Sequence, residues 1–285
     1  MRIHLCHIVP DARHHGLLGY SEVIDTVRWG LTELGHEVTV RVNSIADEAI
    51  NIAFGAQMLS AEQIDALPDS TIVYFLEQSA QIKPEHLRPA CVAAARRLQI
   101  WDYSPANVAT WNQLAPAKPP LVVPIGWAPI LQRISKSTVQ DIDVLHYGGP
   151  TNQRLHALAE LCHDGVKVVW LCGLYGQARD DLIARSRIVL NINSGNGVFE
   201  IVRVSYLLAN AKAVVSDLPG DCEIDDDLRD VIAFAPLDGI RATCSRLLGD
   251  DSERRRLETA GAEAIARRDI RGILREALQS SGHHV

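Results

Sequence analysis

The sequence predicts an α/β protein of two open parallel-sheet domains facing a cleft. Three observations predict it. Strand, loop, helix and strand follow one another repeatedly along the chain. They fall into two series, with AKPP and PIGWAP flanking the divide. The length of 285 residues suits two medium domains, at about 150 residues each. We place the boundary at residue 126, giving domains over 1–126 and 127–285, the last helix being free to pack back on the first.

Composition agrees and narrows the function. Apolar residues make up 47% and charged residues 22% of the chain, values of an ordinary globular protein. The net charge of −7 disfavours binding to bulk nucleic acid, whose phosphates an acidic surface repels. No apolar run reaches the ~18 residues of a membrane span. The opening MRIHLCHIVP lacks a leader's apolar core and reads as a buried strand. Six scattered cysteines without a C-x-x-C pair fit reduced thiols and a cytoplasmic location.

In the first series, residues 2–9 read as a strand and 10–20 as a loop. SEVIDTVRWGLTELG then carries Val23, Ile24, Val27, Leu31 and Leu34 at helical spacing, with Ser21 as the N-cap and Gly35 as the stop. Residues 37–42, 71–78, 98–104 and 120–126 are further strands. PEHLRPACVAAARR and PANVATWNQL are the helices between them, the second opened by Pro105. In the second series, strands are expected in 142–147, 166–173, 187–193, 213–217 and 230–236. Helices are expected over NQRLHALAELCHDG, over RDDLIARS, from about Val198 to Ala211, and from 238 onward.

Ligands of open parallel sheets sit beyond the carboxyl ends of the strands, so the chemistry is sought there. In HYGGPTNQR, Gly148 and Gly149 permit close backbone approach, and the next helix offers free N–H groups to a phosphate. A tight turn that needs glycine is the other reading. No G-x-G-x-x-G or P-loop pattern occurs, which speaks against a Rossmann oxidoreductase. In the loop from Asn193 and Ser194 through Gly197 to Val198 and Phe199, a strand runs into a helix. There Glu200 and Arg203 share a face. They suit a ribose diol and a diphosphate, or simply an i, i+3 ion pair near a helix N-terminus.

In the first domain, the 10–20 loop brings His14, His15 and Asp11 to the carboxyl edge. His15 and Asp11 are candidate general bases, as is Glu77 at the end of FLEQ; Asp102, Tyr103 and Ser104 end the next strand. A solvated loop or a strand-end cap would account for the same residues. Asp225, Asp226 and Asp227 read as a solvated loop or cap, and Asp180-Asp181 as a helix start. No His/Cys metal spacing is present, so no metal is expected.

Residues 142–217 resemble the C-terminal domain of GT-B glycosyltransferases, in particular the family 1/4-like bacterial proteins related to spore-maturation protein CgeB. The likeness rests on Leu190-Asn191-Ile192, Phe199-Glu200, Arg203 and Val214-Val215-Ser216-Asp217, with DVLHYGG, Arg154 and LCGLYG upstream. It implies two Rossmann-like domains and transfer of a sugar from a nucleotide-sugar donor to a glycan, a metabolite or a modified base. It also implies that Glu200 holds the donor ribose. Gly148, Gly149, Thr151, Arg154, Gly173, Tyr175, Asn193, Ser194, Gly197, Val198, Phe199 and Arg203 would surround the diphosphate and sugar. Arg203, Arg154 and backbone amides would replace a metal, and no cofactor beyond the nucleoside diphosphate sugar is expected. The family's E-x7-E pair is broken, because Leu208 stands eight positions after Glu200. A non-catalytic nucleotide or nucleotide-sugar binder is therefore the alternative. Peripheral membrane contact through the Arg-rich C-terminal helices stays open.

Overall fold

The computed structural model describes residues 1–11, 17–193, 197–218, 222 and 224–283. It divides into two compact units. One is Met1–Ile130 and Arg268–Val285 with Gly197 and Val198; the other is Leu131–Gly195 and Phe199–Arg267.

The first unit holds a six-stranded parallel sheet of β1 (Arg2–His7), β2 (Glu37–Val42), β3 (Ile50–Phe54), β4 (Ile72–Phe75), β5 (Gln99–Asp102) and β6 (Leu121–Val122). The strand order is β2-β1-β3-β4-β5-β6. The chain leaves β1 in one direction for β2 and returns past β1 to build β3, so the switch point lies between β1 and β3. On one face, Cys6, Ile8, Val73, Phe75 and Ile100 pack against α2 (Ala61–Asp65) and α3 (Pro89–Ala95). On the other lies α1 (Ser21–Glu33), whose Val23, Ile24, Val27 and Leu31 are buried as the spacing requires.

Three local readings need correction. Strand β3 was not expected, because INIAF is a short apolar run without alternation. Tyr20, not Ser21, caps α1; the Ser21 hydroxyl instead donates to Leu18 O at 2.7 Å. The 82–97 stretch is a single turn at Pro84–His86 followed by α3, broken where Arg88 precedes Pro89 and takes extended backbone. Helix α4 (Pro105–Asn112) does begin on its proline.

The second unit holds β7 (Ile142–Tyr147), β8 (Val168–Leu171), β9 (Ser186–Asn191), β10 (Val214–Asp217) and β11 (Ala233–Ala235). All pair in parallel in the order β11-β10-β9-β7-β8, so the switch point lies between β7 and β9. Helices α5 (Asn152–His163) and α8 (Ile240–Gly249) pack Leu158, Leu161, Cys244 and Leu247 against Val144, Ile188 and Leu190. Helices α6 (Gln177–Arg185), α7 (Ile201–Ala209) and α9 (Asp251–Ala266) complete the unit. Helix α7 starts at Ile201, after the expected Val198, because Glu200 takes non-helical backbone as its cap.

The last helix, α10 (Ile270–Ser280), belongs to the first unit and packs on α1. The Trp127 N–H donates to Arg268 O at 2.7 Å, and the Ile270 N–H to Trp127 O at 3.2 Å. The glycines at 30 and 126 make room for Ile270. A Cβ on Gly126 would lie 3.0 Å from the Ile270 Cα and 2.8 Å from its Cδ1. Among the described residues no helix is long and apolar enough to cross a membrane.

Gly126→Ala should therefore destabilise the protein by about 1–3 kcal/mol, as overpacking does. Its urea midpoint should fall, and the Gly126→Ala/Ile270→Ala double variant should lose less than the sum of the two single losses. Strict additivity would show that the two positions do not crowd each other.

Candidate functional site

The carboxyl ends of β7 and β9 are joined by one side chain. Arg154, in the first turn of α5, is 6% exposed. Its Nε and Nη2 donate to Ile192 O at 3.0 and 2.7 Å, and its Nη1 to Gly149 O at 2.8 Å. One guanidinium thus ties the loop after β7 to the residue after β9. Thr151 caps α5, its hydroxyl accepting from Arg154 N at 3.2 Å. Both residues were expected to surround a diphosphate; in the structure their contacts shape the two loops.

Arg203 reaches the same place from α7. Its Nη1 donates to Asn191 Oδ1 at 2.8 Å, and its guanidinium lies 5.4 Å from the Tyr147 ring centroid. Its Nη2 is 4.0 Å from Glu200 Oε2, the outer limit of an ion pair, with the two side chains 14% and 20% exposed. The i, i+3 pairing is thus loose, and Asn191 fixes Arg203 more firmly than Glu200 does. Gly148, at φ 149°, explains the need for glycine. A Cβ there would meet Arg154 Nη1 at 3.2 Å and Arg203 Nη2 at 3.3 Å. Its carbonyl accepts from Trp170 Nε1 at 3.0 Å.

Asn193 organises the other side. Its N–H and Nδ2 donate to Asp217 Oδ1 at 2.8 and 2.7 Å, and its Oδ1 accepts from Glu200 N at 2.9 Å. Burial raises the Asp217 carboxyl, and the Asn193 bonds oppose that shift. Asn191 Nδ2 bonds Ser216 Oγ at 2.8 Å. Phe199 stacks edge-on against Phe234 at 5.6 Å. Val198 is buried, and Gly197 has φ 74°. Gly173, at φ 71°, and half-buried Tyr175 follow β8 at the same sheet edge. Ser194 lies outside the described residues, as do His14 and His15.

Three residues at this site went unremarked as functional groups. Tyr147 lies between the Arg203 and Arg179 guanidiniums. Asp217 receives Asn193. His146, wholly buried, donates from Nδ1 to Leu190 O at 2.8 Å and leaves Nε2 without a partner. Desolvation first, then Arg203 and Arg154, push its pKa down to about 3. A histidine inside a strand was the available signal, since burial forces it to be neutral. Leu208 is fully buried, so the second glutamate position is part of the core.

In the first unit, Glu77 is exposed at the end of β4. Its Oε1 accepts from the Tyr20 hydroxyl and, at 3.4 Å, from Gln57 Nε2. Asp11 is half-buried beyond β1. Asp102 differs from expectation: it is fully buried and accepts from Ser104 N, Asn107 Nδ2 and Trp111 Nε1 at 3.0, 2.9 and 2.8 Å. Burial pushes its pKa up to about 7 despite these donors. It secures α4 to β5. Asp180 does stand in the first turn of α6, as expected of a helix start, and is buried against Arg179 and Tyr206. Asp225 caps the single turn Asp226–Leu228, and Asp226 pairs with Arg229 at 3.0 Å. Among the described residues no three His, Cys, Asp or Glu side chains are grouped to hold a metal.

No family model matches the sequence, and no curated protein matches it. Solved structures do. HepE of Anabaena, in complex with UDP and glucose, aligns with TM-score 0.67 at 12% identity, over 99% of this chain and 99% of that one. WaaG, a glycosyltransferase involved in lipopolysaccharide biosynthesis, aligns with TM-score 0.59 at 11% identity, over 96% and 98%. A DNA-modifying β-glucosyltransferase gives 0.57 at 12%, over 99% and 98%. The fold is GT-B, as the motifs of residues 142–217 led us to expect.

The neutral His146 has a measurable signature. The unfolded chain binds a proton at this histidine near pH 6.5, whereas the folded chain refuses it until about pH 3. Folding stability contributed here is complete above pH 6.5 and is lost as the pH falls toward 3. Relative to His146→Leu, the wild type should therefore weaken between pH 7 and 4.5 in urea unfolding, by at most about 1.4 kcal/mol per pH unit. A gap between the two proteins that does not change with pH would mean that His146 takes up its proton as readily in the folded chain as in the unfolded one.

Proposed function

We propose that this chain is a glycosyltransferase that moves a sugar from a nucleoside diphosphate donor to a hydroxyl acceptor without a metal at the diphosphate. The observation that carries the reading is Arg203, held by Asn191 at the switch point of the second unit's sheet, with Glu200 at the adjacent helix cap. Support for the donor class comes from HepE, solved with UDP-glucose. WaaG and the DNA-modifying β-glucosyltransferase are sugar-transfer enzymes as well.

In this reading Glu200 accepts two hydrogen bonds from the donor ribose. Arg203 meets the diphosphate, the negative charge of which grows as the sugar leaves; a fixed cation there stabilises the transition state more than the ground state. The N-terminus of α5, which has no acidic residue in its first turn, adds N–H groups. Arg154 acts through the loops it fixes. The acceptor falls to the first unit, where Glu77 and Asp11 are the described candidates for the base that takes the hydroxyl proton. Six cysteines, none in a disulfide, fit a reducing cytoplasm.

The test is nucleotide binding followed by turnover. One nucleoside diphosphate should raise the melting midpoint selectively. Arg203→Ala should weaken it by about 10- to 100-fold, the worth of a charge-assisted hydrogen bond. Glu200→Ala should abolish donor hydrolysis and transfer while the fold is kept. Unchanged binding and turnover in both variants would refute the site. Selective binding with no hydrolysis or transfer in the wild type would instead favour the non-catalytic binder.

A further inference from the structure

The opposite, amino-terminal edge of the second unit's sheet carries a separate cluster of positive charge. A cavity of ≈ 220 Å³ opens there between the segment preceding β7, the end of α7 and α9. Lys136, Lys212 and Arg255 line it together with the single carboxylate Glu258. Lys212 is 5% exposed, and its Nζ donates to Ser186 O at 2.6 Å. An ammonium carries three donors, and no carboxylate stands within 4.0 Å of this one among the ion pairs of the described residues. Burial first, with Lys136 and Arg254 adding and Glu258 opposing, pulls its pKa down to about 8. Burying such a group without a counter-charge costs free energy.

The walls are preformed. Asn210 Oδ1 accepts from Arg133 N and Ile134 N at 3.0 and 2.8 Å, and its Nδ2 donates to Leu131 O at 2.8 Å. This clamps the incoming chain to the end of α7. Gln140 Nε2 donates to the same Ser186 O at 3.2 Å, so that carbonyl is shared rather than reserved for Lys212. The volume falls below the roughly 300–1,000 Å³ of sites for drug-sized ligands. A nucleotide sugar is too large for it.

We propose that this cavity binds a phosphate group, either the free ion or a small phosphate monoester, with Lys212 at its floor and Lys136 and Arg255 at its mouth. Three cations converge on a space of that size, and phosphate supplies both the missing acceptors and the missing charge. The inference is independent of the sugar-transfer reading, because the residues lie at the other end of the strands.

The test uses the full chain carrying Arg203→Ala, so that anion binding at the carboxyl edge is suppressed. Isothermal titration with inorganic phosphate, against chloride at matched ionic strength, should give one saturable site. Lys136→Ala or Arg255→Ala, both at exposed positions, should weaken it about tenfold. Lys212→Met should abolish it. Tighter binding of glucose 6-phosphate would identify a monoester, and equal or weaker binding the free ion; either supports the site. No saturable phosphate binding, or an affinity unmoved by Lys136→Ala and Arg255→Ala, would overturn it.

Discussion

The second unit depends on one buried guanidinium. Arg154 spans the switch point between β7 and β9, where the loops that leave the two strands run in opposite directions. Three of its donors are taken by the carbonyls of Gly149 and Ile192. Those carbonyls end the two strands and would otherwise face the crevice unpaired. With them satisfied, the loop after β7 holds Gly148 against Arg203, and the loop after β9 delivers Asn193 to Asp217 and Glu200. Removing this side chain would orphan carbonyls on both loops at once. Its effect on binding would therefore come through geometry.

Beneath that point, charge and aromatic rings alternate. Arg203 lies over Tyr147, Arg179 over both Tyr147 and Tyr206, and Arg133 over Tyr206, at 4.9 to 5.6 Å. Arg179 is 2% exposed and donates to Asp180 from Nε and Nη2. The Tyr206 hydroxyl donates to the other Asp180 oxygen at 2.7 Å. The buried charge is thus paired and its lone pairs are used, which is the condition under which such a pair is tolerated. The stack runs from the face of α7 that bears Arg203 to the face that meets the chain at 131–134. The site residue is braced by the packing of its own helix.

Much of the architecture could be read from sequence because parallel strands announce themselves as short apolar runs ending in glycine or polar residues. Four of the second unit's strands fall within the segments 142–147, 166–173, 213–217 and 230–236, and β9 begins one residue before the segment 187–193. Glu200 and Arg203 stood out by their i, i+3 spacing at a helix start, whereas Asn191 and Asp217 entered only as parts of the motifs that carry the resemblance. What escaped was tertiary. Strand β3 is five residues long, and its apolar run is too short for periodicity to mark as strand or helix. Asp180 reads locally as a helix-start carboxylate, but Tyr206, 26 residues later, covers it. Asp102 reads as a strand-end acid, and Trp111 and Asn107 close over it. Arg154 reads as a phosphate ligand, and only the register of β7 beside β9 shows that it also ties two loop carbonyls together.

In the proposed reading, an acidic protein must still admit an anion, and the charge distribution bears on how. A net charge of −7 gives long-range repulsion, but solvent screens it within about 8 Å at physiological salt. Inside the crevice Arg203 is mostly shielded from that screening, and the neighbouring His146 is kept neutral by burial and by the same two arginines. Neutral His146 adds no charge, and the two cations Arg203 and Arg154 stand beside two carboxyl groups, Glu200 and Asp217, so the site carries no large net charge. In the proposed reading, selection would rest on the placed donors of Arg203 and on free backbone N–H groups, which a compact diphosphate could meet. A nucleic-acid backbone would have to lie along the acidic outer surface, which repels it.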